Sequence, residues 1–212
     1  MKLAMLSLLL SGMMPWTLAA EPGAADVKAQ MQASFQARGQ AGMDRLDQDA
    51  IQAACSNPEG ASAEVTMGLA DASRAAVKYP ADGVYLGDWR RGEQIAQRGT
   101  GLQYSDNPGE PNGGNCYACH QLAPTEIAYG TIGPSLTGYG KNRGSSEAML
   151  KLAWSMVYDM KGYVPCSNMP RFGARQILTE DQLRDVMALL FDPASPVSQS
   201  GRPHMDLSRR EF

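Results

Sequence analysis

Little of this sequence is basic, and little of it is long and apolar. Nineteen Lys and Arg stand against 22 Asp and Glu, a formal net charge of −3. No stretch gathers enough positive charge to track a phosphate backbone, so a nucleic-acid partner is not expected. The acidic excess is equally mild, and charge alone names no partner. Beyond the first twenty residues no run is apolar enough to cross a bilayer, which takes about 20 apolar residues. Membrane insertion of the mature chain is therefore not expected. Cysteine is scarce, with four residues, and histidine scarcer, with two. A structural zinc site needs four ligands, usually from two cysteine clusters. Only one such cluster exists here. No internal repeat is visible.

What is present begins with the leader "MKLAMLSLLLSGMMPWTLAA". Lys2 is followed by an apolar run from Leu3 to Leu10, and small residues gather at Thr17, Ala19 and Ala20. This pattern predicts a secretory signal peptide over residues 1–20, cleaved near Ala19 or Ala20. Export places the chain in an oxidising compartment, where thiols pair. If Cys116 and Cys119 are consumed together, Cys55 and Cys166 remain as a pair.

Residues 21–87 carry no chemical motif. "VKAQMQASFQARGQAGMDRLDQDAIQAAC" is rich in Ala, Gln and Met, which suits helix, with Gly39 and Gly42 expected to break it in two. Asn57, Pro58 and Gly60 predict a turn, and residues 61–90 carry only weak patterns. "GDWRRGEQIAQRG" predicts a short helix closed by Gly99. Gly, Pro, Asn and Asp then dominate a loop up to residue 115. A further helix is expected from Ser146 to about Lys161, and "GYVPCSNMPRFG" is loop. The clearest helix starts at Thr179, where Gln182 completes a capping box. Leu183, Val186, Met187 and Leu190 share one face of it, and Asp192-Pro193 end it. A polar tail is expected over residues 194–212.

The chemistry is concentrated in "GNCYACH", residues 114–120. A thioredoxin-like redox pair opens a helix after a strand, but here a glycine-rich loop precedes it. Covalent haem attachment accounts for all three chemical residues. Cys116 and Cys119 would form thioethers with the two haem vinyls, and the adjacent His120 would ligate the iron. A ligating imidazole needs a partner for its other N–H, and the carbonyl of Pro134 in "GTIGPSL" is the candidate. The sixth ligand is expected to be Met169. It lies in a loop beside Pro170, far enough from His120 to return on the other haem face. Met149, Met156, Met160 and Met187 sit in helical patterns as core packing, and His204 lies in the polar tail. His/Met ligation raises the reduction potential and closes the iron to substrate, which is electron-transfer chemistry.

In order and loop pattern, "GEQIAQRG", "CYACH", "GPSLTGYGKNRG", "NMPRFG" and "LTEDQLRDVMALLFDP" resemble class I c-type cytochromes over residues 88–193. The resemblance implies an all-α fold, a small helical bundle around one covalent haem c, with residues 21–87 a mostly helical extension. "PCSNMPRFG" and the closing "DPASPV" are similar to a narrower family, SoxX, the monohaem subunit of SoxAX cytochromes in bacterial thiosulfate oxidation. That resemblance implies a periplasmic heterodimer with SoxA. The pair joins thiosulfate to a cysteine of the carrier SoxY by a two-electron oxidation. The bond-forming haem would belong to SoxA, and this chain, with no catalytic residue of its own, would pass electrons to a downstream acceptor. In that family the SoxX haem is His/Met ligated, which carries onto His120 and Met169.

Several residues keep two readings. Cys166 is expected to pair with Cys55, the alternative being a thiolate competing for iron. Tyr139 and Trp154 read either as haem or propionate contacts or as ordinary core aromatics, Arg143 and Arg171 either as propionate partners or as surface charges, and Phe172 is expected to pack beside the haem. A free-standing monohaem carrier, and a haem enzyme or gas sensor with an open iron, are the rival functions.

Overall fold

The structure is a computed structural model describing residues 23–199. The expected leader and His204 lie outside them. The described α-helices are α1 (Ala24–Ser34), α2 (Ala50–Ser56), α3 (Ala63–Ala75), α4 (Trp89–Gln97), α5 (Tyr139–Arg143), α6 (Glu147–Tyr158) and α7 (Glu180–Phe191). Among the described residues there is no strand, only an isolated antiparallel bridge between Arg38 and Ala41. The fold is therefore all-α. No described helix is long and apolar enough to cross a membrane.

The chain forms two compact units, one ending at Phe35 and one running from Gln36 onward. In the first, α1 starts where the Asp26 carboxylate accepts the Gly23 N–H at 3.2 Å. It ends at Ser34, well before the glycines expected to stop it.

In the second unit each longer helix begins where a side chain takes up an orphan N–H. Asp49 caps α2 through the Gln52 N–H at 3.0 Å. Ser62 caps α3, Asp88 caps α4 and Ser146 caps α6. Thr179 and Gln182 close the expected capping box of α7, with reciprocal bonds of 3.3 and 3.1 Å.

The centre of this unit is the crossing of α4 and α7. Their backbones approach so closely at Gly92 that an added Cβ would lie 2.0 Å from the Asp185 carbonyl oxygen. Arg91 fixes the crossing by gripping the buried Asp185 carboxylate with Nε and Nη2, both at 2.8 Å. The core of Ala96, Trp154, Met187, Leu189 and Val197 is almost wholly removed from water. Leu183, Val186, Met187 and Leu190, the pattern read on α7, all lie inside, and so does every residue from Asp185 to Phe191.

From residues 36–87, Tyr85 and Val77 join the same core. Trp154 donates its indole N–H to the Lys78 carbonyl at 2.8 Å. Tyr85 is buried and meets Trp154 edge-on, with ring centroids 5.7 Å apart. Cys55 at the end of α2 is bonded to Cys166 (S–S 2.06 Å, Cα–Cα 5.4 Å) across 111 residues. The start of the polar tail is packed too. Val197 is buried, and its carbonyl accepts the Gly138 N–H at 2.7 Å.

Candidate functional site

The cysteine motif is set by the backbone on either side. Gly114 donates to Ile95 at 2.7 Å and Asn115 donates to Arg98 at 3.0 Å, tying the loop to the end of α4. Asn115 then turns into the left-handed region (φ 48°), which asparagine tolerates better than most residues. Cys116–Ala118 form a single 3-10 turn, and the His120 N–H closes onto the Cys116 carbonyl at 2.9 Å. The turn brings Cys116, Cys119 and His120 to one side of a cavity.

That cavity encloses about 560 Å³ of space, counting the part that opens to solvent. Its walls come from three helices and three loops. Ala96 of α4, Val157 of α6, and Val186, Leu189 and Leu190 of α7 line it. Leu122 and Leu136 come from the segment after the motif, and Met169, Phe172 and Leu178 from the loop before α7. Apart from the motif itself and Asn115, every lining side chain is apolar.

His120 is held at two places. Its Nδ1 hydrogen-bonds the Pro134 carbonyl at 2.7 Å, so Nδ1 carries the proton and Nε2 keeps its lone pair for a ligand. Gly133 lies against the ring, where an added Cβ would fall 2.2 Å from Cε1 and 2.5 Å from Nδ1. The Gly133 N–H also binds the Cys119 carbonyl at 2.8 Å. The motif and the Gly133-Pro134 segment thus form one rigid unit.

Cys116 and Cys119 are not disulfide-bonded. Burial pushes the Cys116 thiol up to about 12. A thiol-exchange site needs the opposite, a thiolate favoured near neutral pH. Among the described residues no group of three or more His, Cys, Asp or Glu is placed to hold a metal ion.

These features fit a covalent haem. Two free thiols three positions apart, an imidazole with its outer nitrogen committed, and a methionine line one apolar cavity. The residues that would hold the group are Cys116 and Cys119 through thioethers, and His120 and Met169 on its iron. Phe172 lines the cavity as well.

The other candidates lie elsewhere. Trp154 is spent on Lys78 and Tyr85, and does not line the cavity. Tyr139 packs edge-on against Phe191 with centroids 5.5 Å apart, and the Arg143 guanidinium covers its other side at 4.3 Å. Arg171 is committed to carboxylates rather than left for a propionate. It binds Asp159 at 2.8 Å and Asp49 at 2.5 Å.

The rim beside the cysteines is apolar and open. Tyr117, between the two cysteines, is 38% exposed, Ile132 75%, and Ile127 fully exposed. The loop carrying them is pinned to the motif, with the Gly130 N–H on the Tyr117 carbonyl at 2.9 Å. Between Glu110 and Lys141 the only Asp, Glu, Lys or Arg is Glu126. Its carboxylate is turned onto the Leu122 and Ala123 N–H groups at 2.7 and 3.2 Å.

No family model matches the chain. Over 158 residues, 72% of this chain and 73% of the other, it is 42% identical to an uncharacterized lipoprotein of Aquifex aeolicus (strain VF5). At that identity and coverage, the chain belongs to the family of the Aquifex lipoprotein.

Proposed function

We propose that the chain is a monohaem c-type cytochrome of the SoxX kind, an electron-transfer subunit that works with a SoxA-like partner in thiosulfate oxidation. The observation that carries the reading is the convergence of Cys116, Cys119, His120 and Met169 on one apolar cavity. Haem held there supplies a one-electron couple. The chain's residues do the rest. Cys116 and Cys119 anchor the group, and Pro134 fixes the ring nitrogen of His120 that faces it. The apolar walls limit water, and Met169 would ligate the iron together with His120, which favours electron transfer over substrate chemistry. The all-α unit around that cavity agrees with a class I cytochrome fold.

The apolar rim favours a partnered subunit over a free-standing carrier. A carrier that meets many partners is commonly steered by charge, and this edge has almost none. Depletion of charge with exposed Tyr and Ile is the composition of an interface core. The partner would carry the bond-forming site and SoxY would carry the substrate, while electrons leave through this chain to a downstream acceptor.

Export to the periplasm agrees with the leader and with a relative called a lipoprotein.

The test is purification of the tagged chain, under mild salt, from its host grown on thiosulfate, with haem staining of the denaturing gel. The reading expects a second haem-bearing chain in equal amount, and a mixture that conjugates thiosulfate to a carrier cysteine. A single haem chain that is reduced and reoxidised alone, and holds no partner, would leave only a general electron carrier.

A further inference from the structure

The loop that carries Met169 is gripped from outside by α2 at both ends. Three residues before Met169, Cys166 is bonded to Cys55 at the end of α2. Two residues after it, Arg171 is bound by Asp49 at the start of α2, at 2.5 Å. Arg175 reaches the same Asp49 oxygen. On its inner side Arg171 donates Nε to Asp159 at 2.9 Å, and the Asp159 side chain is 1% exposed. Arg171 is thus held between two carboxylates from distant parts of the chain. Within the loop, the Met169 N–H is fixed only by Ser167 Oγ at 3.1 Å.

Asp49 divides its work between its two oxygens. Oδ1 caps α2 through the Gln52 N–H at 3.0 Å, and Oδ2 takes the two arginines. A cap alone needs no charge, since asparagine caps as well as aspartate. The charged form is needed only for the arginines. A mobile methionine loop would let the thioether leave the cavity, because a thioether is a weak ligand on a flexible stem.

Resting on the haem reading above, we infer that Asp49 is a positioning residue for the iron's methionine ligand. It acts through Arg171, and with the Cys55–Cys166 bond it makes α2 a brace that keeps Met169 in place. α2, which precedes the cytochrome-like region, therefore serves the site.

Asp49→Asn separates the two roles, because it keeps the cap and removes the charge that holds the arginines. The holoprotein is compared with this variant, with Asp49→Ala, and with the Cys55→Ser/Cys166→Ser pair. The readouts are carbon monoxide binding to the ferrous form and the methionine–iron charge-transfer absorption of the ferric form. Loss of this part-buried charge-assisted hydrogen bond is expected to raise the open fraction about tenfold. Carbon monoxide binding should rise by the same factor and the absorption should weaken, while far-UV circular dichroism stays unchanged. An Asp49→Asn protein that melts earlier yet binds carbon monoxide no faster than wild type would overturn the inference, leaving Asp49 a structural residue only. A wild-type protein that already binds carbon monoxide, with Met169→Ala no different, would overturn the methionine ligand and this inference with it.

Discussion

Replacing Cys55 and Cys166 together with serine removes a cross-link spanning 111 residues. In the chain-entropy description, freeing a loop of that length in the unfolded state is worth about 4.8 kcal/mol at 25 °C. Little else changes. Cys166 is exposed and Cys55 half-buried, so serine leaves no cavity to add to the cost. The Asp49 contacts to Arg171 and Arg175 do not involve either sulfur. For a unit of this size each kcal/mol moves Tm by about 2–4 °C, so the double variant should melt roughly 10–19 °C lower. Thermal unfolding of the oxidised holoprotein, followed by far-UV circular dichroism without added thiol, measures it. A fall of less than about 3 °C would refute the reasoning. It would mean that the unfolded chain gains no freedom when residues 55 and 166 are uncoupled.

Three further outcomes are expected. Met169→Ala should give a ferrous protein that binds carbon monoxide where the wild type does not, and equal binding in both would remove Met169 from the iron. Gly133→Ala places a methyl against the His120 ring and should destabilise by about 1–3 kcal/mol through overpacking, with a lower fraction of chains carrying haem. Unchanged melting and loading would show that Gly133 does not hold the ring. Burial pushes the Asp49 carboxyl up, but the Gln52 N–H and Arg171 bonds outweigh it, aided by the charges of Arg171 and Arg175, and hold it below its ordinary value. The native state therefore binds fewer protons than the unfolded state between the two pKa values. This stabilisation is complete above about pH 4 and is lost as pH falls through the lowered value. Tm should drop less steeply below about pH 4 in Asp49→Asn than in wild type, and parallel curves would contradict the ion pair.

The parts legible in the sequence are those whose chemistry is local. Cys116, Cys119 and His120 declare themselves by spacing, and Thr179 with Gln182 marks the start of α7 by a short-range box. The Pro134 carbonyl could be named because the ligand's second nitrogen must find an acceptor, and proline's carbonyl was at hand. What stayed hidden depends on distant pairing or weak periodicity. α3 escaped notice because only Ala70 and Ser73 of it are buried, so no apolar stripe marks it. α5 spans five residues between Gly138 and Gly144, too few for a periodic pattern to show. Arg171 looked free for a propionate because its partner Asp49 stands 122 residues away. Tyr139 and Trp154 looked like cofactor contacts because aromatic residues near a cofactor motif are ambiguous. Their actual partners, Phe191 and Lys78, belong to other elements. Val197 sits in a polar stretch, and only the folded chain shows that it belongs to the core.

The most direct test of the account is the intact mass of the exported protein after denaturation in acid. The account predicts one haem retained on the unfolded chain, lost when Cys116 and Cys119 are both replaced by alanine while Cys55–Cys166 remains bonded. A chain whose mass matches the bare mature polypeptide, from a host that loads other c-type cytochromes, would contradict it.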